Sequence, residues 1–183
     1  FYCQATAGAI NRAIYSFNKK KGIVNLTPEI GTHSAIFNPS CTYYIHGYSS
    51  ATVPPVYTLR DAKGKVIRTI EDNAQVVEAV EKTNIPTREF FTFDNGKGYM
   101  LNGFMVKTDD LDANKQYPAV LIQYSGPSSQ EVLNNWEIDW YHYLANQGFV
   151  VVCVDGRGTG GRGKAFESIV YQNLGRYETE DQL

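Results

Sequence analysis

The sequence predicts a mixed fold, with antiparallel β-sheet units over residues 1–70 and a parallel strand–helix–strand unit within residues 71–183. Three observations predict it. Segments rich in β-branched and aromatic residues repeat along the first third of the chain at a constant offset of 42 positions. From Glu71 onward, apolar residues take up helical spacing. Between Pro118 and Gly163, two continuous apolar runs each end in a glycine-bearing turn and flank one segment of helical period.

The repeat is carried by named residues. Ile14-Tyr15-Ser16-Phe17 with Gly22 returns as Val56-Tyr57-Thr58-Leu59 with Gly64, and Phe1-Tyr2-Cys3 returns as Tyr43-Tyr44-Ile45. The segments are short and bounded by Asn18-Lys19-Lys20-Lys21-Gly22, Asn38-Pro39-Ser40 and Asp61-Ala62-Lys63-Gly64, residues that tolerate or preset turns. An antiparallel unit of ~40–45 residues is one blade of a β-propeller. Two incomplete units are visible, against the roughly four to eight blades of a closed propeller. A small antiparallel sandwich is the alternative. Tyr15, Tyr43, Tyr44 and Tyr57 are expected to pack between blades rather than to form a stacking platform, since aromatic rings suit half-buried pleated surfaces.

After Glu71, Asp72 or Asn73 caps a short helix with Val76, Val77 and Val80 on one face, and Asn84-Ile85-Pro86 stops it. The domain boundary is placed here. Residues 88–93 and 99–107 form a hairpin around Asp94-Asn95-Gly96. Ala119–Ile122 reads as a strand covered on both faces. Trp136, Trp140, Tyr143 and Leu144 recur at helical spacing up to Gly148, and residues 149–154 form a second buried strand. Phe166, Ile169 and Val170 mark a further helix closed by Gly175, and Thr179-Glu180-Asp181-Gln182 has the spacing of a capping box opening another.

Composition narrows the function. Hydrophobic residues at 43%, charged residues at 20% and a net charge of −2 give an ordinary globular balance without a basic stripe, which argues against nucleic acid. No apolar run approaches the ~18 residues of a membrane span. Cys3, Cys41 and Cys153 lack any ligand or CxxC spacing and are expected to be small buried hydrophobes. No metal or cofactor is implied.

Ligand chemistry in parallel sheets collects at the carboxyl ends of the strands, here residues 124–127 and 155–163. Gly156-Arg157-Gly158-Thr159-Gly160-Gly161 satisfies G-x-G-x-x-G, but the acidic residue expected about 20 residues on falls beside a helix start, at Glu178 and Glu180, instead of at a strand end. The favoured reading is scaffold, with Asp155 and Arg157 pairing or bonding loop amides. His33, His46 and His142 have no carboxylate or cysteine at ligand spacing, and His142 is assigned to helix packing or a helix surface. Ser125, Ser128 and Ser129 lie outside any G-x-S-x-G and read as turn formers. Tyr124 ends the first strand of the unit. Its phenol either donates to charge developing on a carbonyl oxygen or is a packed ring with a wet hydroxyl, and the pattern leaves both open.

Tyr124-Ser125-Gly126-Pro127-Ser128-Ser129-Gln130, Asp155-Gly156-Arg157-Gly158-Thr159-Gly160 after Phe149-Val150-Val151-Val152, and Leu174-Gly175 with Glu178, Asp181 and Gln182 closely resemble the dipeptidyl peptidase IV family of serine peptidases. Leu101-Asn102-Gly103-Phe104 and Tyr117-Pro118 match as well. The resemblance covers nearly the whole chain and implies the last blades of a propeller over residues 1–70, then a linker helix and the N-terminal part of an α/β-hydrolase domain over residues 71–183. It implies a serine exopeptidase releasing N-terminal dipeptides after penultimate proline or alanine, with Tyr124 in the oxyanion hole, no cofactor, a homodimeric parent and a periplasmic or exported location. The triad is expected beyond Leu183 and the paired glutamates that hold the substrate amine before Phe1, so the chain alone is expected to be inactive. Ser128 departs from the family, whose bacterial members commonly carry glycine there. An acylaminoacyl peptidase-like enzyme and a catalytically dead propeller–hydrolase binding protein are the alternatives.

Overall fold

The computed structural model describes residues 1–183, which form two compact units: Phe1–Asn84 with Asn134–Glu137, and Ile85–Leu133 with Ile138–Leu183. Both are sheet-rich, and no helix is long and apolar enough to cross a membrane.

In the first unit the β-branched and aromatic segments become β1 (Tyr2–Thr6), β2 (Arg12–Asn18), β3 (Gly22–Asn25), β4 (Thr32–Phe37), β5 (Tyr43–Ser50), β6 (Val53–Asp61) and β7 (Val66–Glu71). They make two antiparallel meanders, β1-β2-β3 and β4-β5-β6-β7, joined by one parallel bridge between Arg12 and Thr32. The sequence repeat therefore pairs β1 with β5, β2 with β6 and β3 with β7. Register does not repeat with it. Tyr2 faces Ser16, whereas Tyr44 faces Arg60 and not Thr58, the position 42 residues after Ser16. The cause is a bulge between Tyr48 and Ser50 next to a tighter connection, since a bulge adds a residue to one strand and shifts everything beyond it.

The core of this unit is partly polar. Tyr44 is buried and stacks on Phe37, whose other neighbour is Tyr2. Tyr43 and Tyr57 are instead exposed, because the two-residue pleat turns them to the opposite face from Tyr44 and Thr58. His33 and His46 are buried and joined at 2.9 Å between Nδ1 and Nε2. His33 Nε2 reaches the Glu29 carbonyl at 2.9 Å, which a ring nitrogen can do only as a donor, so His33 Nδ1 accepts from His46 Nε2. His46 Nδ1 then accepts from Thr58 Oγ1 at 3.3 Å, and Thr58 Oγ1 accepts from Arg60 Nε at 3.1 Å. Both imidazoles are neutral in this chain. Burial, then the Arg60 charge and His33, push His46 down to about 3, and burial lowers His33 as well.

Asn134 is tied to two strand connections and the start of β4 in the same unit. Its amide oxygen accepts from Ala51 N (2.9 Å), its amide nitrogen donates to Asn11 Oδ1 (3.0 Å), and its main chain bonds Ile10 O (2.9 Å) and Thr32 Oγ1 (2.9 Å). Trp136 follows it, its N–H donating to Ser49 Oγ, and so lies outside the helix expected to contain it. Helix α1 (Ala74–Glu81) forms as its spacing predicts, but buries none of its residues. Asn73 precedes it at φ +53 without capping it, and the Asp72 carboxylate accepts from Ala74 N instead.

The second unit carries a four-stranded sheet in the order β10-β11-β9-β8, from β8 (Arg88–Asp94), β9 (Met100–Val106), β10 (Ala119–Ile122) and β11 (Val150–Asp155). β8 and β9 are the expected hairpin, whose turn is fixed by Asp94 Oδ1 accepting Gly96 N and Asn95 Oδ1 accepting Lys97 N and Tyr99 N. β10 and β11 are parallel, joined through α2 (Trp140–Asn146). Along β10, Ala119 and Leu121 on one face are exposed, Leu121 at 50%, where the continuous apolar run led to an expectation of two covered faces.

Leu101, Phe104, Val106, Val151, Cys153 and Val154 form the interior of the second unit, with Tyr141 and Ala145 from α2 and Val132 also buried. Buried Arg88 lies over the Phe104 and Tyr141 rings and donates to Tyr141 Oη at 3.1 Å. His142 is buried at the start of α2, its Nδ1 accepting from Asp139 N in a capping box, which is the packing role expected of it. Only Cys153 is buried as its residue type suggests. Cys3 lies on edge strand β1 and Cys41 in a turn at φ +52, and both are exposed.

The chain closes with α3 (Lys164–Glu167), a 3-10 turn over Ser168–Val170 and α4 (Arg176–Gln182). α4 starts earlier than the capping-box spacing suggests. Its first turn is closed by Glu178 accepting from Gly175 N at 3.0 Å, and Thr179 Oγ1 bonds back to the Gly175 carbonyl.

Candidate functional site

Two strand ends were singled out from the sequence, and in the second unit they are stitched together. Ser128 N donates to Gly158 O at 2.9 Å and Gly160 N donates to Ser129 O at 2.7 Å, so the turn after β10 is hydrogen-bonded along the glycine-rich loop after β11. Gly160 permits this approach, since a Cβ on it would stand 2.8 Å from the Ser128 carbonyl oxygen. Ser128 sits at φ +62, the left-handed region, which accounts physically for a glycine preference at this position.

The loop resembling a phosphate cradle has its amides engaged elsewhere. The N–H groups of Arg157, Gly158, Thr159 and Gly160 donate to Asp181 Oδ2, Phe166 O, Gly156 O and Ser129 O respectively. A phosphate-binding loop needs those donors pointing outward. The scaffold reading therefore fits, with one revision to its details. Asp155 bonds loop amides, accepting from Glu131 N (3.1 Å) and Val132 N (2.9 Å); burial raises its pKa while these two donors oppose that rise.

Arg157 pairs with α4 and not with Asp155. Its guanidinium, with a side chain only 4% exposed, reaches Asp181 Oδ1 at 2.8 Å and Glu180 Oε2 at 3.0 Å. It also lies against the rings of Tyr99 and Tyr177. Asp181 accepts in addition from the Arg157 main chain (2.7 Å) and from Asn95 Nδ2 (2.8 Å). Burial alone would raise the Asp181 carboxyl, but the donors from Arg157 and Asn95 and the guanidinium charge hold it below its ordinary value. Asp181 bonding raises Arg157.

Tyr124 stands two residues past β10 and is 66% exposed. Its ring lies across Gly126, where a Cβ would come within 3.0–3.2 Å of ring and hydroxyl atoms. Tyr124, Ser125 and Gly126 form one side of a cleft of about 440 Å³, and Glu178, Thr179 and Gln182 of α4 line it too. Gln182 Nε2 is fixed by the Val154 carbonyl at 2.9 Å. Tyr124 thus lines a cleft at the carboxyl end of a parallel strand, on a side chain that no neighbour buries. A phenol so placed has its O–H available to a carbonyl oxygen in the cleft. Ser125 and Ser129 act as turn formers: Ser125 Oγ donates to Gln123 Oε1, and Ser129 Oγ to main-chain carbonyls of the turn.

The prolyl oligopeptidase family model matches residues 136–183. A probable dipeptidyl-aminopeptidase B of Pyrenophora teres f. teres is 31% identical across 100% of this chain, and a probable dipeptidyl peptidase 4 of Aspergillus flavus is 35% identical across 82% of it. The crystal structure of Porphyromonas gingivalis dipeptidyl peptidase 4 superimposes on 99% of the chain with a TM-score of 0.94 and 40% identity. The chain belongs to the dipeptidyl peptidase IV family. It spans about a fifth of the length of those curated relatives (21% and 20%) and 26% of the Porphyromonas gingivalis chain. A putative dipeptidyl aminopeptidase IV of Bacteroides ovatus has the same fold over 99% of the chain, with a TM-score of 0.85 and 26% identity.

Sequence reasoning missed the Arg157–Asp181 clamp and the histidine pair. The signal for the clamp was present: a buried-looking arginine in a tight glycine turn needs a carboxylate, and Glu180 and Asp181 are the acidic residues opening into the next helix. Nothing in the spacing of His33 and His46 announces their contact.

Proposed function

We propose that this segment serves a serine exopeptidase that releases N-terminal dipeptides after penultimate proline or alanine, with Tyr124 as an oxyanion donor. The meander β4-β5-β6-β7 and its repeat support reading residues 1–70 as the last blades of a β-propeller. The β10-α2-β11 crossover supports reading the rest as a linker helix and the first part of an α/β-hydrolase domain. In the proposed reaction a serine supplied by the rest of the enzyme attacks the carbonyl after the second residue. The carbonyl oxygen takes up negative charge, and Tyr124 donates its O–H to it in both acylation and deacylation. The same reading carries the homodimer and the exported location expected from the resemblance, which sedimentation and cell fractionation of the full-length protein test.

The observation that carries the proposal is the exposed Tyr124 side chain lining the cleft beyond β10. In the full-length protein, Tyr124→Phe keeps the ring and removes the donor. Turnover of a Gly-Pro chromogenic substrate is expected to fall ~100- to 1,000-fold, the range for losing one oxyanion donor. Unchanged turnover removes Tyr124 from the reaction. Cleavage only of N-acetylated peptides would move the enzyme to the acylaminoacyl class. The isolated 183-residue chain is expected to leave the substrate intact, and hydrolysis that Tyr124→Phe abolishes would overturn that.

A further inference from the structure

Tyr124 is exposed, so packing does not aim its hydroxyl; its main chain does. Ser129 holds that main chain. Its single hydroxyl proton is shared between the carbonyl oxygens of Tyr124 (3.0 Å) and Gly126 (2.6 Å), and its N–H donates to Gly126 O at 3.0 Å. Ser129 is itself immobilised from the other side, because its carbonyl accepts from Gly160 N and its neighbour Ser128 donates to Gly158 O. The path therefore runs from the glycine-rich loop, through Ser129, to the two residues that fix the phenol: Tyr124 itself and Gly126, over which its ring lies.

We propose that Ser129 is a positioning residue for Tyr124, acting through the carbonyls of Tyr124 and Gly126 and anchored by the glycine-rich loop. The proposal rests on the reading of Tyr124 as oxyanion donor. An oxyanion donor must stay within about 2.7–3.1 Å of where the charge develops, and a misplacement of about 1 Å costs on the order of 100-fold. Ser129→Ala keeps the main-chain bonds and loses only the hydroxyl, so the turn loosens without collapsing. Ser129→Thr restores the hydroxyl at a partly exposed position.

The test uses the full-length protein and steady-state kinetics on a Gly-Pro chromogenic substrate. Ser129→Ala is expected to lower kcat about tenfold with KM unchanged, Ser129→Thr to recover most of it, and Ser129→Ala to have no further effect in a Tyr124→Phe background. Three results overturn the inference: equal losses for alanine and threonine, a loss carried by KM, or a full additional loss in the Tyr124→Phe background. If Tyr124→Phe alone leaves kcat unchanged, the reading of Tyr124 fails, and a kcat loss in Ser129→Ala would then belong to another group.

Discussion

Breaking the Arg157–Asp181 pair should destabilise the second unit far more than its surface charges do. Asp181 receives four donors: Arg157 Nε and Nη2, the Arg157 main-chain N–H and Asn95 Nδ2. In Asp181→Ala the guanidinium stays buried with only Glu180, at the half-exposed end of the network, and two further donors are orphaned. Losing one partner of a buried pair costs about 3–5 kcal/mol. Arg157→Met is expected to cost less, about 1–3 kcal/mol, because the carboxylate keeps the main-chain donor and Asn95. The double variant Arg157→Met/Asp181→Leu should fall well short of the sum, since apolar replacement of a whole buried pair is often neutral. Urea denaturation with an unchanged m-value is the assay. The pH dependence follows in sign: the Asp181 pKa is depressed on folding, so its contribution is present above the ordinary aspartate value of ~3.9 and is lost as pH falls through the folded value. Single-variant costs below about 0.5 kcal/mol, the surface range, or simple additivity would refute the clamp.

Three further outcomes are expected. Both His33 and His46 are depressed, so each contributes fully above ~6.5 and loses about 1.4 kcal/mol per pH unit below it until its folded pKa, about 3 for His46; a denaturation midpoint that stays flat between pH 7 and 5 would contradict this. Asn134→Ala strands the Ala51 N–H and Asn11 Oδ1, and should cost about 1–3 kcal/mol by thermal melting. Gly158→Ala adds a Cβ at φ +96, 2.6 Å from Val170 Cγ1, and should cost about 1–3 kcal/mol in the same assay; an unchanged midpoint would show that the loop relaxes.

What the sequence discloses depends on the range over which the controlling physics acts. The Asp94-Asn95-Gly96 turn, the strand ending before Tyr124 and the 42-residue repeat are local patterns, and each appears as an element where its residues stand. Partnership is another matter. His33 and His46 meet because β4 and β5 pair Ala35 with His46, a register that the turn at Asn38–Thr42 decides and the spacing of histidines does not. Trp136 keeps helical spacing with Trp140, yet Asn134 finds better hydrogen bonds 123 residues earlier in the chain, at Asn11, and the segment leaves the helix. Leu121 belongs to a run that reads as buried, but exposure depends on what packs on each face of β10, which the run does not encode. The strand end before Tyr124 was legible because a strand end is a local event. The hydroxyl of Ser129 that holds it was legible only as a turn former.

The convergence on Asp181 also sets a schedule. Asn95 precedes it by 86 residues and Arg157 by 24. At a synthesis rate of roughly 5–20 residues per second, the Asn95 turn waits about 4–17 s, and the guanidinium about 1–5 s, for the carboxylate that completes them. Until Asp181 is made the hairpin turn lacks this partner, and from Arg157 onward so does the loop after β11, against which the Tyr124 turn lies. Asp181 is thus made after every donor it accepts from, and its arrival ties the hairpin turn to the loop after β11.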